Sequence, residues 1–257
     1  MRAHGVKSTP EEIAKALEGD YREEHLFALK QAVELYDFYH RQIEACDREI
    51  ERHLRTFDAK VDLVQNPLPR PKRKGKKPIK NQSSVDLRTE LYRVSGVDLT
   101  QIPGLEALTV QKIVSEVGLD PGKFGTEKRF VSWLGLCPNN RITGGKIKST
   151  KTRKTSNRAA AAFRMAAQSL ANSTSALGAF YRRIRARLGA PQAITATAHK
   201  LARIFYRMWT TGQSYIDLGN DYYENHYKER VLRNITKRAR DLGYEAILQP
   251  LQQQGVA

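Results

Sequence analysis

Apolar and polar positions along this chain recur mostly with the period of an α-helix rather than that of a strand. Thr9-Pro10-Glu11-Glu12 opens a short helix: Thr9 caps it, Pro10 fits its first turn, Glu12 completes a capping box and Gly19 ends it. A long helix is predicted over 21–57. One of its seams is Leu29, Tyr36, Ile43, Ile50 and Phe57; the companion seam is Leu26, Val33, His40, Asp47 and Leu54. This 3-4 spacing predicts a coiled coil or a long helical hairpin arm, with His40 and Asp47 as polar breaks that can fix register. The bland alternative is a long helix lying on its own domain.

The periodicity stops at 66–78, where Asn66-Pro67-Leu68-Pro69-Arg70-Pro71-Lys72-Arg73-Lys74-Gly75-Lys76-Lys77-Pro78 supports neither helix nor strand. Helical spacing resumes afterwards. Helices are predicted at 87–94 and 108–117, then in an alanine-rich stretch that Asn157 or Ser156 caps and that runs to about Ala171, then at 175–188 and 194–209. The expected fold class is mostly α: a long coiled-coil helix, a basic linker and a compact helical domain with a helix-hairpin-helix-like element. The expected divisions are 1–62 (short helix and coiled-coil arm), 63–86 (linker), 87–216 (helical domain) and 217–257 (C-terminal helix and tail).

Charge changes this picture from a fold to a partner. The 257 residues carry 44 Lys+Arg against 27 Asp+Glu, a formal net charge of +17. Residues 1–60 hold 10 Lys+Arg and 13 Asp+Glu, a net of −3, so the remainder carries +20. Between Glu127 and Asp217 lie 89 residues with 17 Lys+Arg and no carboxylate. Helical domains normally mix both signs, so this window predicts a surface that tracks phosphates, with binding that weakens as salt rises. No apolar run is long enough to span a bilayer, and the N-terminus has no signal-peptide core. Cys46 and Cys137 are too few for a disulfide framework or a structural zinc site. The expectation is a soluble intracellular protein with an anionic partner.

Candidate chemistry concentrates at 141–164. There Arg141-Ile142-Thr143-Gly144-Gly145-Lys146-Ile147-Lys148-Ser149-Thr150-Lys151-Thr152-Arg153-Lys154-Thr155-Ser156-Asn157-Arg158 interleaves hydroxyls and cations, with paired glycines that let backbone approach a ligand. A phosphodiester transfer that uses no local metal needs a hydroxyl nucleophile and fixed cations, and Thr143 with Arg141, Lys146, Lys148 and Arg153 supplies both. The bland reading is a loop whose hydroxyls only hold phosphates. Lys151, Lys154, Arg158, Gly144 and Gly145 complete the contacts expected there, and Arg182 and Arg183 on the following helix are expected to neutralise backbone. Ile102-Pro103-Gly104-Leu105-Glu106 between two helices resembles a helix-hairpin-helix corner, which would add Gly104 and Lys112 as contacts. Glu106 stands where that motif usually has a second glycine. His199, Arg203 and Tyr206 share a helix face by spacing and form a rival site, outweighed by a polar face that packs or touches phosphate.

IPGLEALTVQKIVSEVG, then WLGLCPNNRITGGKIKSTKTRKTSNRAAAAFRMAAQSL, then SALGAFYRRIRARLGAPQAITATAHKLARIFY resemble, in that order and spacing, the C-terminal domain of the IS-one-ten insertion-sequence transposases, the bridge-RNA-guided recombinases. The resemblance implies a DNA transposase that joins a RuvC-like domain of four metal-binding acidic residues, using Mg, to a C-terminal domain with a serine nucleophile before a Gly-Gly-Lys turn. That position here is Thr143, and Ser149 is the alternative nucleophile. The resemblance also implies a structured guide RNA, DNA as substrate, a homo-oligomer formed through the coiled coil, and a cytoplasmic, nucleoid-associated bacterial protein. The expectation is a partial copy with the metal domain missing, the second expectation being a helical nucleic-acid-binding protein without chemistry.

Overall fold

The computed structural model describes residues 8–19, 21–69 and 85–247. It is mostly α-helical, with one two-stranded sheet among the described residues. Two compact units are distinguished: Met1–Arg52 with Ser83–Val85, and His53–Gln82 with Asp86–Ala257. Most of the basic linker lies outside the described residues.

In the first unit, α1 spans Pro10–Ala16. Thr9 and Glu12 form the reciprocal cap: the Glu12 amide donates to Thr9 Oγ1 (3.2 Å) and the Thr9 amide donates to Glu12 Oε2 (2.8 Å). The second helix, α2 (Glu23–Arg55), begins here and leaves Leu26, Leu29, Val33, Tyr36 and Ile43 exposed.

The second unit contains α3 (Leu87–Ser95), α4 (Ala107–Val117), α5 (Glu127–Trp133), β1 (Arg141–Thr143), β2 (Lys146–Ser149), α6 (Arg158–Ser169), α7 (Ala176–Leu188), α8 (Ala190–Thr211) and α9 (Gly219–Asp241). Its axis is α8, against which α5, α6 and α7 pack. Phe130, Phe163 and Phe205, one each from α5, α6 and α8, are fully buried and meet ring to ring, Phe163 and Phe205 with centroids 5.5 Å apart. Ala159, Ala160, Ala162, Ala166 and Ala167 of α6 are buried too. Side chains this short let α6 sit close to both α4 and α8, as a helix with alanine on several faces should.

Two glycines allow close approaches that no other residue would. At the Pro103-Gly104 corner Gly104 has φ +88°, and an added Cβ would lie 2.9 Å from the Ala166 carbonyl oxygen of α6. In α7 a Cβ on Gly178 would lie 2.2 Å from the Ser173 carbonyl oxygen. A buried ion pair fixes the start of the unit. Asp98, in the turn after α3, accepts from Arg88, from the Thr100 hydroxyl and from Gln101 Nε2 (2.8 Å). Burial works to raise its pKa, but these hydrogen bonds and the Arg88 charge prevail and hold the carboxyl below its ordinary value.

Candidate nucleic-acid interface

The segment 134–158 is placed by the end of α5. Gly135 has φ +66°; its amide donates to the Ser132 carbonyl (3.0 Å) and the Leu136 amide donates to the Val131 carbonyl (3.1 Å). That pair of bonds is the Schellman ending, for which glycine is the favoured residue. Gly135 is required for a second reason, since a Cβ there would lie 2.9 Å from Thr155 Cγ2. The chain returning from the sheet therefore passes directly over Gly135. Arg153 fastens it by donating from Nη2 to the Ser132 carbonyl (2.7 Å). A bridge between Pro138 and Thr152 and a bond from the Asn139 amide to the Lys151 carbonyl (3.0 Å) close the base.

Above this base the chain forms an antiparallel hairpin that periodicity did not predict. Gly144 (φ +56°) and Gly145 (φ +74°) make its two-residue turn, and two successive positive φ values give the twist that a tight hairpin favours. Thr143 pairs with Lys146 across the turn, and Ile142 pairs with Ile147. Directly opposite residues share a face, so the hydroxyl and the ammonium share one face and the two isoleucines the other. A register irregularity between Arg141 and Ile142 sets Arg141 opposite Ser149. All residues from 139 to 148 are exposed. The Thr143 hydroxyl makes no hydrogen bond among the described residues, whereas Ser149 is half-buried and its Oγ accepts from the Lys151 amide (3.3 Å).

Arg141, Lys146, Lys148, Lys151 and Lys154 are exposed and form no ion pair among the described residues. Arg153 has a structural duty in the base. Arg158 is the first residue of α6, exposed, behind the Asn157 cap that donates no charge but accepts from the Ala160 amide (2.9 Å). The Cys137 thiol is pushed up by burial, against the opposing pull of the Arg153 and Arg203 guanidinium groups.

Other expected contacts lie elsewhere. The Gly104 face that would need open space is turned against α6, so the glycine serves packing at the corner; Lys112 is exposed on α4. Arg182 donates to the Ser173 carbonyl (2.6 Å) and to Asn220 (2.7 Å). Arg183 pairs with Glu224, and its guanidinium carbon lies 3.3 Å from the Tyr227 ring centroid. Both arginines are thus engaged in holding α9 to α7. The rival site is not assembled: Tyr206 is 6% exposed, packed on Phe130, and its hydroxyl donates to the Pro121 carbonyl (3.2 Å). Arg203 pairs with Glu127, and burial, with Arg203 nearby, lowers the His199 pKa.

No group of three or more His, Cys, Asp or Glu residues converges among the described residues, and 128–216 has no carboxylate. Nor is any described helix long and apolar enough to cross a membrane.

Residues 98–182 match the family model described as Transposase IS116/IS110/IS902 family. This segment is similar to the transposase domain of that family. The match begins at Asp98 and ends at Arg182, so it contains the corner, the whole hairpin and the helices on which the hairpin stands. No curated protein matches the chain. The match supports DNA transposase or recombinase activity and, with it, interaction with DNA. Within the matched segment, Ser132 and Gly135, which anchor the hairpin, were missed by pattern reading; the Gly directly after the apolar run of α5 was the available signal.

Proposed function

We propose that the transposase domain grips the DNA backbone with the 141–154 hairpin and that strand transfer takes place there: the Thr143 hydroxyl oxygen bonds to the scissile phosphorus, the bond to the departing strand-end oxygen breaks, and that oxygen leaves as a hydroxyl with the proton that Thr143 gives up. The observation that carries this reading is the placement of Thr143 beside the Gly144-Gly145 turn, opposite Lys146, on an exposed hairpin with no carboxylate to repel phosphate. Arg141, Lys146, Lys148, Lys151 and Lys154 are the phosphate contacts, and fixed cations of this kind stabilise charge on a transferring phosphoryl group. Ser149 is the second choice because its hydroxyl is half-buried and already accepts a bond.

Magnesium chemistry is expected to come from acidic residues outside 128–216, so no step here is routed through the metal. Gly104 is left out of the contact surface, and Lys112 stays as a peripheral contact. A structured guide RNA would find the same cationic hairpin. Homo-oligomerisation through α2 is supported by its exposed apolar seam, and nucleoid association would follow from the charge. Residues 63–86 and 217–257 would then act as strap and outer arm of a domain spanning 87–216.

The test is strand exchange with the complete transposase. Thr143→Ala should lower it by at least about 100-fold, and Thr143→Ser should retain it, because a hydroxyl in the same place can attack. Undiminished exchange by Thr143→Ala removes Thr143 as nucleophile, and Ser149→Ala then tests the alternative. Affinity of the chain for duplex DNA should fall about 500-fold from about 50 to 200 mM salt, for the roughly five phosphates that these cations reach.

A further inference from the structure

We propose that Trp133 is a stacking platform for an unpaired nucleobase at the foot of the hairpin. The inference rests on the nucleic-acid reading above and adds a distinct ligand: a base rather than a phosphate.

The argument begins with what α5 does with its large side chains. Phe130, Val131 and Leu134 are buried, yet Trp133 between them is 45% exposed, while the protein's other tryptophan, Trp209, is 4% exposed. The indole is nevertheless fixed. Its centroid lies 5.3 Å from that of Phe124, which is itself held edge-on to Phe130 at 4.9 Å and to Tyr206 at 6.4 Å. A ligand stacking on such a ring meets a surface already ordered, so little side-chain entropy is lost on binding.

The surroundings select the ligand. Arg129 lies one turn earlier on α5 and is exposed. Lys123 has its Nζ 5.2 Å from the Phe124 ring centroid. Arg153 is bonded to the carbonyl of Ser132, the residue immediately before Trp133. The nearby carboxylates are engaged: Glu127 with Arg203, and Asp120 with the Gly122 amide. An aromatic face set among cations is the arrangement that binds single strands, the cations taking phosphates and the ring taking a base. A base inside a duplex has both faces covered by its neighbours, so only a base at a strand end, nick or loop can use the indole. Such a base at the foot of the hairpin would put the adjoining phosphate beside the hairpin's base, where Lys151, Arg153 and Lys154 lie.

The test uses the full chain and two fluorescent probes: oligothymidine of about 12 nucleotides, a length within common single-strand site sizes, and a blunt duplex of equal length. Trp133→Ala should weaken oligothymidine binding about tenfold, as expected for one lost base stack, and leave duplex affinity within twofold. Trp133→Phe should recover most of the loss. Oligothymidine should also quench the tryptophan emission of the natural protein, with buried Trp209 supplying the unquenched remainder. Equal losses on both probes, or no loss on oligothymidine with both probes bound, would overturn the stacking role alone. Failure of the natural protein to bind either probe would overturn the hairpin reading along with it.

Discussion

Asp98 illustrates how much a single side chain does in a domain so short of carboxylates. It is the first residue of the family match, is almost fully buried, and gathers Arg88, Thr100 and Gln101 around one anionic group. Its folded pKa lies below the ordinary value, so the folded state binds its proton less readily than the unfolded chain. The stabilisation is therefore present above about pH 4, the ordinary carboxylate value, and is lost as pH falls through the lower folded value. Urea midpoints measured between about pH 3 and 7 should show this acid limb, and Asp98→Asn should flatten it while costing about 2 kcal/mol at neutral pH. An unchanged acid limb in the variant would assign it to other carboxylates.

Among the elements, α9 is the one most dependent on particular side chains. It buries no residue of its own, and Arg182 and Arg183 bind it to α7. Arg183 is flanked by Tyr223 and Tyr227, with centroids 4.8 and 3.3 Å away. Arg183→Ala should therefore loosen α9 first. Amide exchange across 219–241 should quicken about tenfold, in keeping with the 1–2 kcal/mol of a desolvated cation–π contact, while α8 stays protected. The same residues mark the limit of reading elements from sequence. The α1 cap, the long α2, the Asn157 cap of α6 and the spans of α7 and α8 are local matters of spacing and capping, and all were legible. The partners of Arg182 and Arg183 lie 38 and 41 residues further along, so two packing duties looked like free cations. The hairpin was hidden for a different reason: its signal is only Gly144-Gly145 between Ile142 and Ile147, too brief to outweigh a helical background. Thr143 could be singled out from the string, but its pairing with Lys146 could not.

For the whole molecule, the uneven charge divides the labour. The slightly acidic first 60 residues carry the exposed seam of α2, while the rest carries a net charge of +20. If α2 pairs with another α2, Tyr36→Glu together with Ile43→Glu should shift the protein toward monomer in sedimentation, because like charges facing each other across a seam are unfavourable. Duplex affinity per protomer should change little. Equal sedimentation of variant and natural protein would remove this seam as the contact.

The exposure of every residue from 139 to 148 has one more consequence. The fold makes no use of most of those side chains, since Gly135, Ser132 and Arg153 hold the base from below. Randomising the tip codons should leave expression and thermal midpoint almost untouched. Whatever preferences survive a screen for transposition would then be a direct record of what the nucleic acid demands, uncontaminated by what folding demands.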